Sequence, residues 1–317
     1  MFACPQIYRL NNNENALGPS PQAIAAIKAM DPKQAAVYPS GDAYHLRYKL
    51  AECFGHSPEA FVVGNGANEL ISFVIKAFCQ EGDNIITADR TFAVYEWVAG
   101  FSGFEPRLIP LTDDYGWDDE AMLAAIDDRT KVIFVCNPNN PTGTYWNEQK
   151  LRRFLDRVDG QQIVVVDEAY AEFVEAEDFP NSMTMINEYP NLVVFRTFSK
   201  MFALAALRVG YLVGHEKFVD IIRRTCVVYS VNTLAQLAAI ASLTDADEHI
   251  ERTRRIVSEA RQFLREELTK AGLFFLGGEG NFMVIRLPIS DTLAYRKLMR
   301  SGIMVRTMTG FRFPNHI

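Results

Sequence analysis

KVIFVCNPNNPTGTYWNEQKLRRFLDRVDGQQIVVVDEAY (131–170) contains two apolar runs joined by one amphipathic segment. KVIFVC (131–136) and QIVVVD (162–167) are continuous rather than alternating, the pattern of strands covered on both faces. The segment 147–158 between them has helical spacing. A strand, a crossover helix and a second strand predict neighbouring parallel strands. The pattern extends outward. FVVG (61–64), NIITA (84–88), PRLIPL (106–111), LVVFR (192–196) and YLVG (211–214) read as further strands, and 67–79 and 117–126 as helices. The expected fold is α/β: a large domain with a mostly parallel seven-stranded sheet between helices, plus a smaller α+β domain. That second domain begins near residue 230, where the pattern changes. Helical stretches at 233–243 and 247–271 precede strand-like FMVIRL (282–287), a helix at 291–301 and strand-like IMVR (303–306). The expected divisions are 1–30, an irregular N-terminal segment with a short helix at 21–30; 31–228, the large domain; and 229–317, the small one.

Composition narrows the function. Of 317 residues, 49% are hydrophobic, enough to bury the core of one large domain or two unequal ones. The net charge of −7 is spread over mixed signs without a basic block, so no nucleic-acid partner is expected. Cys4, Cys53, Cys79, Cys136 and Cys226 are scattered and form no C-x-x-C pair, so neither a disulfide framework nor a metal site is expected. No apolar run approaches the ~20 residues that span a bilayer. The N-terminus lacks a charged region followed by an apolar one. The expectation is a soluble cytoplasmic protein with no membrane partner.

Four stretches carry chemistry. GNGANELI (64–71) links a strand to a helix. It is an ordinary connection or an anion site, with small residues admitting a phosphate to the Ala67 and Asn68 amides. It is neither a Walker loop nor a dinucleotide fingerprint, because no GK[ST] follows and Glu69 replaces the third glycine. Asp167 ends a fully apolar strand, where ligands of open α/β sheets sit; it could pair with a buried cation, bind Mg²⁺ or cap a helix. In FRTFSKMFALAALRVGY (195–211), Lys200 follows Thr197 and Ser199 and precedes Arg208 by eight residues. Apolar surroundings can make such a lysine a nucleophile, and Arg208 with the hydroxyls could bind an anion. NPNNPTG (137–143) reads as a loop rich in turn residues, or as one aiming the Asn140 amide at a ligand.

In this order the motifs resemble those of fold-type I aminotransferases, and most closely the histidinol-phosphate aminotransferase group. The resemblance runs from LNNNEN (10–15) to GIMVR (302–306). It implies a pyridoxal-phosphate (PLP) enzyme, catalysing ping-pong transamination of histidinol phosphate in the imidazole acetol phosphate/glutamate couple. Lys200 is implied to carry the cofactor as a Schiff base, and Asp167 to partner its pyridinium nitrogen. Tyr170 and Asn140 match groups on the ring's phenolic oxygen, and Tyr95 the aromatic stacked on the ring. Ala67, Asn68, Thr197, Ser199 and Arg208 match the phosphate-binding set. Tyr38, in VYPSG, resembles a tyrosine that reaches the neighbouring subunit's phosphate, which implies a homodimer. Asn15 and Arg306 are the implied substrate contacts, Arg306 reading alternatively as a surface arginine. The N-terminal segment is implied to pack with the small domain.

The chain departs from the family at its ends. GFRFPNHI (310–317) stops about where a carboxylate-binding arginine should follow; Arg312 is near but out of place, and truncation is the expectation. Tyr8 is close to, but not at, the position of a substrate-contacting tyrosine. Three alternatives stay open: an aromatic amino acid aminotransferase, a PLP-dependent decarboxylase of a phosphorylated amino acid, and a non-catalytic homologue.

Overall fold

The computed structural model describes residues 6–158 and 160–317; Cys4 lies outside them. The chain opens with a short strand, β1 (Tyr8–Arg9), followed by helices α1 (Pro21–Ala29) and α2 (Tyr44–Phe54). Strands and helices then alternate: β2 (Phe61–Gly64), α3 (Ala67–Phe78), β3 (Asn84–Ala88), α4 (Val94–Phe101), β4 (Glu105–Ile109), α5 (Asp119–Ala124), β5 (Thr130–Cys136), α6 (Glu148–Val158) and β6 (Ile163–Asp167). Next come β7 (Leu192–Thr197), β8 (Gly210–Gly214) and α7 (Glu216–Arg223). The remainder is α8 (Thr233–Ser242), α9 (Ala246–Lys270), β9 (Phe275–Leu276), β10 (Val284–Ile285), α10 (Asp291–Arg300) and β11 (Ile303–Met304).

The seven-stranded sheet has the order β2-β8-β7-β6-β5-β3-β4. Its strands are mostly apolar because helices cover both faces: every residue of β2, β3, β6 and β8 is buried. The edge strand β4 is the most exposed of the seven, and it carries Pro106, which an edge tolerates. All seven expected strands are present. One feature was not read from the periodicity: β8 runs antiparallel to both neighbours. Residues 198–209 return the chain to the same end of the sheet without a crossover helix, so β8 must run back. That short return contains Lys200 and Arg208.

The C-terminal part builds smaller sheets. β9 pairs antiparallel with β10, and residues 315–317 pair with 285–287. The first strand joins them: β1 runs parallel to β11, with Tyr8 N donating to Gly302 O at 2.7 Å and Leu10 N to Met304 O at 2.8 Å. α1 packs on α8. Arg312 binds Glu96 and the Asp89 carbonyl, tying the C-terminal segment to α4. Among the described residues no helix is long and apolar enough to cross a membrane.

Candidate active site

The C-terminal rim of the large sheet gathers the chemistry. β3 is followed outward by β4, whereas β5, β6 and β7 lie on its other side, so the strand order reverses between β3 and β5. Ligands of open α/β sheets bind at such a point. Here the turn after β3 is sewn to the loop after β5. Thr91 Oγ1 donates to Asn139 Oδ1 at 2.7 Å, and Asn139 Nδ2 donates to Arg90 O at 3.1 Å.

Asp167, the last residue of β6, is 2% exposed. Its Oδ2 accepts the Tyr95 hydroxyl at 2.6 Å and its Oδ1 the Ala169 N–H at 3.1 Å. Burial pushes its carboxyl up to about 6, against the pull of these two donors. The resemblance implies that Tyr95 stacks on the cofactor ring; here the protein itself surrounds the side chain. It is fully enclosed, its ring lies 4.8 Å from Phe134 at 13°, and its hydroxyl is spent on Asp167. One face and the tip of the ring are therefore engaged by protein. Phe92, three residues earlier and half-buried, meets the Tyr95 ring edge-on at 5.5 Å and is the more accessible aromatic of the pair.

On the neighbouring strand, Lys200 follows β7 and sits in the return toward β8. Its Nζ donates to the Asn12 carbonyl at 2.8 Å and lies 5.7 Å from the centre of the Tyr170 ring. Burial lowers its ammonium to about 8; Glu14 opposes the shift, while Arg208 and Arg306 add to it. The buried Tyr170 hydroxyl accepts from Asn13 Nδ2 at 3.1 Å and Asn140 Nδ2 at 3.2 Å, and burial holds its phenol well above the usual range.

The third component is the start of α3. Gly66 occupies its N-cap at φ +77°, and no side chain caps the helix. The first N–H groups of a helix have no partner within it, so those of Ala67 and Asn68 are available for an anion. A Cβ on Gly66 would stand 2.3 Å from Arg208 Nη2, so only glycine lets the guanidinium lie against this turn. Arg208 Nη1 contacts the Ser199 hydroxyl at 3.4 Å, and Thr197 Oγ1 accepts the Ser199 N–H at 3.0 Å. Ala67, Asn68, Thr197, Ser199 and Arg208 thus come from the β2–α3 and β7–β8 connections, which pair through β2 and β8.

Across this rim lies residues 11–15, most of which the sequence did not mark as functional. Besides Asn12 and Asn13, Asn15 Nδ2 donates to Met201 O at 2.8 Å, and Asn281 Nδ2 donates to Asn13 O at 3.2 Å. Arg306 Nε binds Asn11 O at 2.9 Å and its Nη2 binds Asn12 Oδ1 at 2.5 Å. The one signal for this arm was its run of asparagines, whose amides suit side-chain bridging better than helix or strand. Tyr38 stands apart within its own chain, 79% exposed and stacked on Tyr229 at 4.8 Å.

Residues 5–317 match the family model described as aminotransferase class I and II. The chain is 39% identical over 311 residues to histidinol-phosphate aminotransferase 2 of Pseudomonas fluorescens strain Pf-5, covering 98% of this chain and 83% of that protein. It is 36% identical over 315 residues to histidinol-phosphate aminotransferase of an Anaeromyxobacter species, covering 99% and 86%. The crystal structure of histidinol-phosphate aminotransferase from Sinorhizobium meliloti in complex with pyridoxal-5'-phosphate superposes with a TM-score of 0.87 at 25% identity, over 95% of this chain and 83% of that one.

Proposed function

Because the chain belongs to the class I and II aminotransferase family, we propose that it is a pyridoxal-phosphate transaminase exchanging an amino group between histidinol phosphate and glutamate through their keto partners. The observation that carries the substrate choice is the bridge made by Asn12. Its carbonyl accepts from Lys200 and its side chain from Arg306, so a second cation stands one residue away from the reacting amine. That spacing suits an amine whose other end bears a phosphate.

The cofactor fits the residues present. Without a Cβ, Gly66 lets the Arg208 guanidinium lie against the turn beside the first amides of α3, so a phosphate there would meet both. The buried Asp167 carboxylate accepts from the Tyr95 hydroxyl and the Ala169 N–H but forms an ion pair with no cation among the described residues, which suits the partner of a protonated ring nitrogen. When bound, pyridoxal 5′-phosphate supplies the sink for the electron pair released at the substrate Cα. The chain's own residues then have separate tasks. Asp167 holds the proton on the ring nitrogen. Tyr170, positioned by Asn13 and Asn140, offers its hydroxyl to the phenolic oxygen. Arg208, Ser199, Thr197 and the Ala67 and Asn68 amides hold the phosphate. Lys200 Nζ removes the Cα proton as general base, for which an ammonium lowered to about 8 is suited near neutral pH. Residues 11–15, lying over Lys200, limit water at that atom.

The proposal has two further parts. The exposed Val37, Tyr38, Val228 and Tyr229 form an apolar patch suited to a second copy, giving a homodimer. The free thiols of Cys53, Cys79, Cys136 and Cys226 suit a reducing cytoplasm. A substrate panel tests the main reading. Incubated with pyridoxal 5′-phosphate, the protein should gain a visible absorption band and convert histidinol phosphate, with 2-oxoglutarate, at a higher kcat/KM than phenylalanine or tyrosine. Absence of the band overturns the cofactor reading; preference for the aromatic amino acids overturns the substrate.

A further inference from the structure

We propose that Tyr95 is a positioning residue whose hydroxyl keeps Asp167 ionised and aimed before the cofactor arrives. The inference rests on the reading of Asp167 as the partner of the cofactor's ring nitrogen. Three observations carry it. First, the hydroxyl lies 2.6 Å from Asp167 Oδ2, the length of a charge-assisted bond. Second, the ring has no freedom to leave. It is fully enclosed, stacked on Phe134 and edge-on to Phe92, and α4 holds it from the far side of the strand reversal. Third, the backbone that presents it is fixed by the bonds between Thr91, Arg90 and Asn139. The bond does not compete with a ligand, because each carboxylate oxygen accepts at two positions and Tyr95 takes one.

The electrostatic need is plain. Burial drives Asp167 toward its neutral form, and its remaining neighbours do not oppose this strongly. Glu168, next along the chain, disfavours the charge; the Ala169 N–H supports it. Cys136 at the end of β5 and Tyr170 beyond β6 both stay protonated, held up by their own burial. Tyr95 also keeps its proton, since burial and the Asp167 charge push its phenol far up. It therefore acts as a permanent donor. A neutral Asp167 could not stabilise a protonated ring nitrogen, so the tyrosine sets the pH range over which the site accepts the cofactor in its reactive form.

The test is Tyr95→Phe, which removes the hydroxyl and keeps the stacked ring. A hydrogen bond to a charged group corresponds to about one to two pH units of carboxyl titration. In the full-length cofactor-free protein, the ¹³Cγ signal of Asp167, assigned by its loss in Asp167→Asn, should titrate higher by that amount in Tyr95→Phe. The dissociation constant for pyridoxal 5′-phosphate should rise about tenfold near neutral pH and recover toward wild type in alkaline buffer. A structural role alone would weaken binding equally at every pH. Coincident carboxyl titrations in wild type and variant overturn the proposal. If Tyr95→Phe does not fold, the ¹³Cζ signal of Tyr95 in the wild type decides: it should shift with the Asp167 midpoint, and a flat signal overturns the assignment. Failure of the wild type to take up the cofactor would sink the enzyme reading, while the Asp167 titration would still judge Tyr95.

Discussion

The rim of the large sheet and the arm laid over it meet at Lys200, yet they are built by opposite means. On the rim, Asp167, Tyr95 and Thr197 are buried, and each is held by strand ends and packed rings. On the arm, residues 11–15 have little apolar packing and are fastened through amides and carbonyls to Tyr170, Lys200, Met201 and Arg306. Burial on the rim stores unfavourable electrostatics that Tyr95 and the Ala169 N–H relieve only in part. The arm stores little, since its bonds can be exchanged for water. The difference suggests a division of labour: the rim determines which cofactor is held, and the arm governs what reaches it.

Substitutions can break that contrast, and the largest effect belongs where the two regions touch. Lys200→Ala should abolish the visible band. Turnover of histidinol phosphate should fall by about 10²–10⁴-fold even at saturating cofactor, measured by single-turnover absorbance. Retention of near-normal turnover would mean that the base lies elsewhere.

Asp167→Asn sharpens the rim side. In the unfolded chain this carboxyl titrates near 3.8, and in the fold near 6. Between those values the folded state binds the extra proton, so stability falls as pH rises through that window. Above pH 6 the full penalty, about 3 kcal/mol, is present. The asparagine variant should therefore stabilise the cofactor-free protein by up to that amount at pH 8 and hardly at all at pH 4, read from urea midpoints. A gain that does not vary with pH would refute the account.

Arg306→Gln probes the arm side and should be the gentlest. Its guanidinium is exposed, so folding stability should change by less than about 1 kcal/mol. KM for a phosphorylated substrate should rise about tenfold with kcat little altered, while an unphosphorylated amine should show no change. Equal losses for both substrates would remove Arg306 from the phosphate end.

The same contrast explains how much was legible. Continuous runs such as IVVVD (163–167) have one physical explanation, burial on both faces, so the sheet could be read directly. Lys200, Asp167 and Arg208 stood out because polar groups ending apolar runs have few bland explanations. The antiparallel β8 escaped, because direction depends on where a connection lands rather than on side-chain pattern. Tyr95 escaped in part. Its place near the site was legible through the resemblance, but its burial against Phe134 and its bond to Asp167 arise from α4 reaching across the strand reversal. Asn12 and Asn13 left little trace, since Asn12 engages Lys200 by its backbone carbonyl, a group every residue carries.

The pairing of β1 with β11 also has a consequence for synthesis. A ribosome makes residues 8–10 long before their partner strand at 303–304. Until 302–306 leave the exit tunnel, Tyr8 and Leu10 have no strand to join, however complete the large sheet has become. Residues 8–10 thus settle after the large sheet, and a nascent molecule carries an open site until 302–306 have been made.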